Sequence, residues 1–210
     1  MVLAVFGVIG LMLAASRWLA GRRLATAGHL LLGVASAAGA MVLWPIAANL
    51  ETYDRLAPDQ AAAELYFEQI GSQRFRATLT RLPAGRVQVF ELSGDQWRID
   101  ARILTWKDRA AKLGFQPRFQ LERLSARHTS RNVDLGQAVS GYSLGRDAGA
   151  DLWAWSRGGP PWDRHVDARH AYGPWRPMAN GARFEVRLRG SSLEADPINE
   201  AAAASLKPHG

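Results

Sequence analysis

Asp163, His165, Asp167 and His170 fall within one short stretch, Trp162-Asp163-Arg164-His165-Val166-Asp167-Ala168-Arg169-His170. Two carboxylates and two imidazoles form a donor set that zinc or a similar divalent ion accepts. Side chains alternate along a strand, so Asp163, His165 and Asp167 would share one face and His170 would fall out of phase. Arg164 and Arg169 also offer ion-pair partners to the same carboxylates. A solvated, salt-bridged strand behind the Gly158-Gly159-Pro160-Pro161 break therefore explains the stretch without a metal. These four residues are carried forward as metal candidates, and no cofactor or catalytic residue is assigned.

Arg98, Asp100 and Arg102 form a second row at spacing two. Such a row would bind an anionic headgroup or a sugar acid, or would be an ordinary solvent face stabilised by cross-strand pairs. The solvent face is the reading adopted. Aromatic residues beside cations, as in Trp106-Lys107 and Trp175-Arg176, suit saccharide stacking and suit core tryptophans with exposed neighbours equally well. The phrase Ser140-Gly141-Tyr142-Ser143-Leu144-Gly145 lacks the first glycine of a nucleophile elbow, and no phosphate-binding glycine-rich loop with its lysine is present. The chain contains 0 cysteines, which excludes disulfides, thiol nucleophiles, thiolate zinc sites and iron–sulfur clusters. It carries a net charge of +7. A basic domain beside a membrane can touch anionic lipid headgroups, and no nucleic-acid recognition motif is present.

The elements that hold these residues begin with two apolar runs. Residues 1–16 and 24–50 contain no Asp, Glu, Lys or Arg, and Arg17, Arg22 and Arg23 stand between them. About 20 apolar residues span the roughly 30 Å hydrocarbon core of a bilayer, so residues 1–50 are expected to form a transmembrane helical hairpin. A cleaved leader would place its positive charge before the apolar run and would leave the second run unexplained. Arginines near membrane ends stay in the cytoplasm. The connecting loop is thus expected inside, with both termini and the domain beyond residue 50 outside. Arg17, Trp18, Arg22, Arg23 and Trp44 are expected at the membrane interfaces. Small residues recur at spacing four, Gly10 with Ala14, Gly33 with Ala37 and Ala35 with Gly39, which permits close helix packing. His29 is expected near the headgroups, bonded across the hairpin.

Residues 51–63 read as a juxtamembrane linker with a helical turn through Ala61–Ala63, and residues 64–206 as one β-rich domain. Alternation predicts strands over 74–82, 86–92, 96–104, 118–125, 166–172 and 182–188, with a further strand over 65–70. The clearest has Trp97, Ile99, Ala101 and Ile103 on one face. Short helices are expected at 107–113, 150–156 and 198–206, and a long loop over 127–143. The fold class is α+β, a helical hairpin followed by an antiparallel domain with small helical insertions, whether barrel or open sheet.

The runs Gly94-Asp95-Gln96-Trp97-Arg98 through Trp106, Phe119-Gln120-Leu121-Glu122-Arg123-Leu124-Ser125, Met178-Ala179-Asn180-Gly181 through Val186 and Pro197-Ile198-Asn199-Glu200-Ala201 resemble a group of small proteobacterial inner-membrane proteins labelled multidrug transporter or cation/multidrug efflux pump. The resemblance spans the hairpin and the outer domain. It implies a place in the inner membrane and supplies no motif of catalytic or binding residues; with the orientation expected from the arginines, the soluble domain would lie in the periplasm. Three functions follow as expectations. The leading one is a non-enzymatic interaction domain, an accessory subunit beside a membrane-protein partner or further copies of itself. The alternatives are a component or accessory of an efflux system and a metal-dependent envelope enzyme.

Overall fold

The computed structural model describes residues 2–55, 60–107, 111–129, 140–145, 151–158, 166–189 and 192–207. Asp163 and His165 lie outside the described residues, as do most of the expected 127–143 loop and of the Gly-Gly-Pro-Pro break. The chain forms two units, a helical one built from Met1–Thr52 and a β-rich one that starts at Tyr53.

The helical unit is α1 (Val2–Leu19) and α2 (Arg23–Leu50). Both are long and apolar enough to cross a membrane, with mean hydropathy of 2.0 and 1.9 over their best windows. The buried residues are small or polar: Gly7, Gly10 and Ala14 on α1, and Thr26, Gly33 and Asn49 on α2. Gly10 and Gly33 meet backbone to backbone, and a Cβ on Gly10 would stand 2.8 Å from the Gly33 Cα. Gly10, Ala14 and Gly33 of the small-residue stripe are therefore buried within the hairpin, whereas Ala35 is exposed. His29 differs from expectation. Its Nδ1 lies 2.6 Å from the Ala25 carbonyl oxygen one turn back on its own helix, so the helix backbone satisfies it.

The β-rich unit holds two antiparallel sheets. One has the order β11 (Ser192–Pro197), β10 (Arg183–Arg189), β2 (Gln60–Gly71), β3 (Arg74–Arg81), β4 (Arg86–Ser93). The other runs β1 (Asp54–Arg55), β6 (Arg118–Arg127), β5 (Gln96–Trp106), β8 (Val166–Tyr172). Here β7 (Ser140–Ser143) also pairs with β6, and β9 (Arg176–Pro177) also pairs with β5. The expected helical turn through Ala61–Ala63 is instead the first half of β2. Ala62 and Ala63 are buried, and Ala63 is paired with Val186 on one side and Arg81 on the other. Alanine favours helix locally, but two flanking strands satisfy this backbone as a ladder. Strands β7 and β11 were not expected. Ser192–Pro197 has the sequence Ser-Leu-Glu-Ala-Asp-Pro, poor in strand formers, and is held by its register on β10.

One hydrophobic core contains residues of both sheets. At its centre Phe67 and Phe184 from the first sheet meet Trp97 from the second, with ring centroids 5.3 Å (Phe67–Trp97), 5.4 Å (Trp97–Phe184) and 6.2 Å (Phe67–Phe184) apart. These distances lie in the range of favourable aromatic pairs. At one edge the sheets are joined by the Tyr142 hydroxyl donating to the Glu91 carbonyl at 2.8 Å and by Arg81 donating to the Leu144 carbonyl. At the other, Arg176 Nε donates to the Ala195 carbonyl at 3.2 Å. Two short helices complete the unit, α3 (Leu152–Arg157) and α4 (Glu200–Ser205). Asn199 caps α4, its side-chain oxygen accepting from Ala202 N at 3.0 Å.

Trp97→Ala should lower the unfolding free energy of the β-rich unit by about 3–5 kcal/mol, the usual cost of deleting a buried aromatic side chain. Denaturant titration of the full chain in detergent checks this, and a loss below about 1 kcal/mol would remove the aromatic cluster from the centre of the fold.

Candidate functional site

The charged row of β5 is not a solvent face. Directly opposed residues of antiparallel strands share a face, so His170, paired with Arg102, and Tyr172, paired with Asp100, stand beside the row. Trp153 of α3 packs on it, its ring 4.4 Å from that of His170 and 4.6 Å from the Arg102 guanidinium carbon. Asp100 keeps only 5% of its surface. The expectation of a plain solvent face fails because alternation within β5 carries no information about α3 or the chain after β8, which cover the row.

The layer divides into two halves. In the first, Arg98 Nε lies 3.0 Å from Asp100 Oδ1, and Arg98 Nη2 donates to Oδ2 at 3.3 Å. Arg98 also sits 4.7 Å from the Trp175 ring centre, and Arg127 sits 4.2 Å from the same ring. One indole is thus flanked by two guanidiniums, an arrangement attractive through the ring quadrupole. Arg127 Nε donates to Gln96 Oε1 at 2.8 Å. Among the described residues no carboxylate pairs with Arg127. Tyr172, 59% exposed, borders this half and lies 5.5 Å from the Arg98 guanidinium carbon.

Glu122 anchors the second half. Arg102 meets its Oε1 through Nη2 at 2.8 Å and Nε at 2.9 Å, and His170 Nδ1 approaches Oε2 at 3.1 Å. Glu122 lies on this face by alternation with Gln120, which pairs with Arg102. Asp100 pairs with Arg123 and the next residue, Ala101, with Leu121, leaving Glu122 without an opposite number. The extra residue brings Arg123, opposite Asp100, to the same face as Glu122. Its backbone carbonyl meanwhile accepts from Leu144 N at 2.8 Å. Arg157 lies over Trp153 at 4.8 Å.

Gly173 makes the route from β8 to Trp175 possible. Its N–H donates to the Ile99 carbonyl at 2.9 Å, and a Cβ there would lie 2.6 Å from that oxygen. Only glycine lets the chain pass this close to β5.

Two of the metal candidates separate. Asp167 is paired with Thr105 and His170 with Arg102, which puts them on opposite faces of β8. Asp167 is 2.7 Å from Arg169 Nη2, and His170 Nδ1 lies 3.1 Å from Glu122. Asp163 and His165 lie outside the described residues. Among the described residues no three His, Asp or Glu side chains cluster as metal ligands. Glu122, Trp153, Tyr172 and Arg127 were missed as site residues. The available signals were the Gln120/Glu122 alternation and the tryptophans adjoining arginines, neither of which states what packs on what.

The layer offers planar cations and aromatic faces with one carboxylate in each half, and Tyr172 is exposed in the half that holds Arg127 and Trp175. No family model, no curated protein and no solved structure matches the chain.

Burial raises the Asp100 carboxyl above its ordinary value of 3.8, against the opposing pull of Arg98. The folded chain then holds this proton more tightly than the unfolded chain. Its contribution to stability is fully present below 3.8 and is lost as pH rises through the raised value. Urea midpoints of the full chain in detergent should therefore fall with rising pH across that window more steeply than those of Asp100→Asn. Parallel curves for the two proteins would refute the assignment.

Proposed function

We propose that the chain is a membrane-anchored protein whose helical hairpin spans a bilayer and whose β-rich unit is a non-enzymatic interaction module, an accessory subunit of a larger inner-membrane or envelope assembly. One observation carries the anchoring. The large apolar side chains of both helices face outward, as in Leu31 at 72% and Met41 at 80% exposure, while the hairpin buries glycine and alanine. Water penalises such a surface and hydrocarbon does not. A cleaved leader would account for α1 and leave α2 with the same exposed surface. Arg17 in the last turn of α1, Arg22 between the helices and Arg23 at the start of α2 support a cytoplasmic turn and an extracytoplasmic β-rich unit. For the module itself, the Arg127 half of the layer combines Tyr172, Trp175 and Arg127, the residue types that dominate protein-binding hot spots. The resemblance to efflux-labelled proteins supports an exporter as one class of partner.

The absence of cysteine allows a direct test of topology. In intact cells a membrane-impermeant maleimide should label Lys207→Cys and spare Ala20→Cys until the membrane is opened. The reverse pattern would invert the topology, and labelling of both would end the spanning hairpin.

Purification in gentle detergent should recover a stoichiometric membrane partner that Tyr172→Ala combined with Arg127→Ala releases by at least about tenfold, a loss of roughly 1.4 kcal/mol. A chain that comes out alone, or a partner indifferent to both substitutions, would overturn the interaction reading.

A further inference from the structure

The connection between β5 and β6 holds an apolar tip that the core does not use. Leu113 is 78% exposed and Phe115 50% exposed, and neither belongs to the hydrophobic core. The tip is braced. Trp106 Nε1 donates to the Gln116 carbonyl at 2.8 Å, the Trp106 and Phe115 rings lie 5.1 Å apart, and the turn closes at Gly114 with φ +86°. Its cations are distinctive too: the chain's lysines are Lys107, Lys112 and Lys207, and the first two lie on the segment that leads into this tip.

The root of the connection is tied to the chain that leaves α2. Arg118 Nη1 donates to the Tyr53 carbonyl at 3.1 Å, and β1 pairs Asp54 with Phe119 and Arg55 with Arg118. Only Glu51 and Thr52 separate Tyr53 from Leu50, the last residue of α2. Three extended residues reach about 11 Å. Covalent continuity thus keeps the root of this connection within that reach of the end of α2, whatever orientation the two units take.

We propose that the β5–β6 tip is a second membrane contact: Leu113 and Phe115 enter the interfacial layer of the bilayer, and Lys112 and Lys107 meet anionic lipid headgroups. Large apolar side chains flanked by lysine are the composition of interfacial anchors, with Trp106 behind them at the level where aromatic rings concentrate. The inference rests on the reading of α1 and α2 as a spanning hairpin. The contact would dock the β-rich unit on the membrane surface instead of leaving it to swing on residues 51–53.

The test uses the cysteine-free full chain in lipid nanodiscs, with an environment-sensitive dye on one introduced cysteine at a time. Leu113→Cys probes the tip and Leu31→Cys the hairpin. Ser72→Cys, in the turn just past the end of β2 and about 40 Å along the chain from Gln60 at 3.3 Å per residue, serves as the aqueous control. Spin-labelled lipids carrying the quencher at a shallow or a deep position report depth. The expected result is deep quenching at Leu31, shallow quenching and a blue shift at Leu113 that strengthen when phosphatidylglycerol replaces phosphatidylcholine, and neither at Ser72. Quenching at Leu31 with a Leu113 signal equal to that at Ser72 overturns the tip contact and leaves the hairpin standing. No quenching at Leu31 overturns the hairpin itself. A Leu113 signal indifferent to anionic lipid removes the lysines from the contact.

Discussion

The contact of Trp97 with Phe67 and Phe184 is the constraint on which the β-rich unit depends. Without cysteines the two sheets have no covalent staple, so burial of apolar surface between them must hold the unit together. Phe67 and Phe184 lie in strands that pair directly with each other, and Trp97 comes from the opposite sheet. Their interlock sets which residues of β2, β5 and β10 point inward. Once Trp97 points in, Ile99, Ala101 and Ile103 must follow, and Arg98, Asp100 and Arg102 must point out.

That outward row decides the character of the second face. A charged strand face normally meets water, but here Trp153, Tyr172 and Trp175 come from distant segments and lie over it. Burial makes the Asp100 charge costly, and Arg98 offsets part of that cost. Glu122 supplies a second carboxylate, to Arg102 and His170. Arg127 over Trp175 and Arg157 over Trp153 add a further cation at each end of this face.

The hairpin solves the opposite problem. Its buried residues are three glycines, Ala14, Thr26 and Asn49, so the backbones of α1 and α2 approach closely at Gly10 and Gly33 while leucine, valine and methionine face outward. In water this inverts the usual arrangement. In hydrocarbon it gains packing between backbones and loses nothing at the lipid-facing surface. The outward surface of the hairpin is thus compatible with membrane anchoring.

The sequence by itself determined whatever depends on local period and composition. The two charge-free runs mark α1 and α2, and period-two alternation marks β3, β5, β6, β8 and β10 to within a residue or two. The pairing of small residues within the hairpin, the ladder that converts Ala61–Ala63 to strand, and the existence of β7 and β11 depended on neighbours far along the chain. The same holds for the site. The spacing of Arg98, Asp100 and Arg102 was legible, whereas the burial of Asp100 and the partners of Glu122, Arg102 and His170, were not. Alternation records which side of a strand a residue occupies. What covers that side is decided by which segments the closed fold brings over it, and only the tertiary structure holds that information.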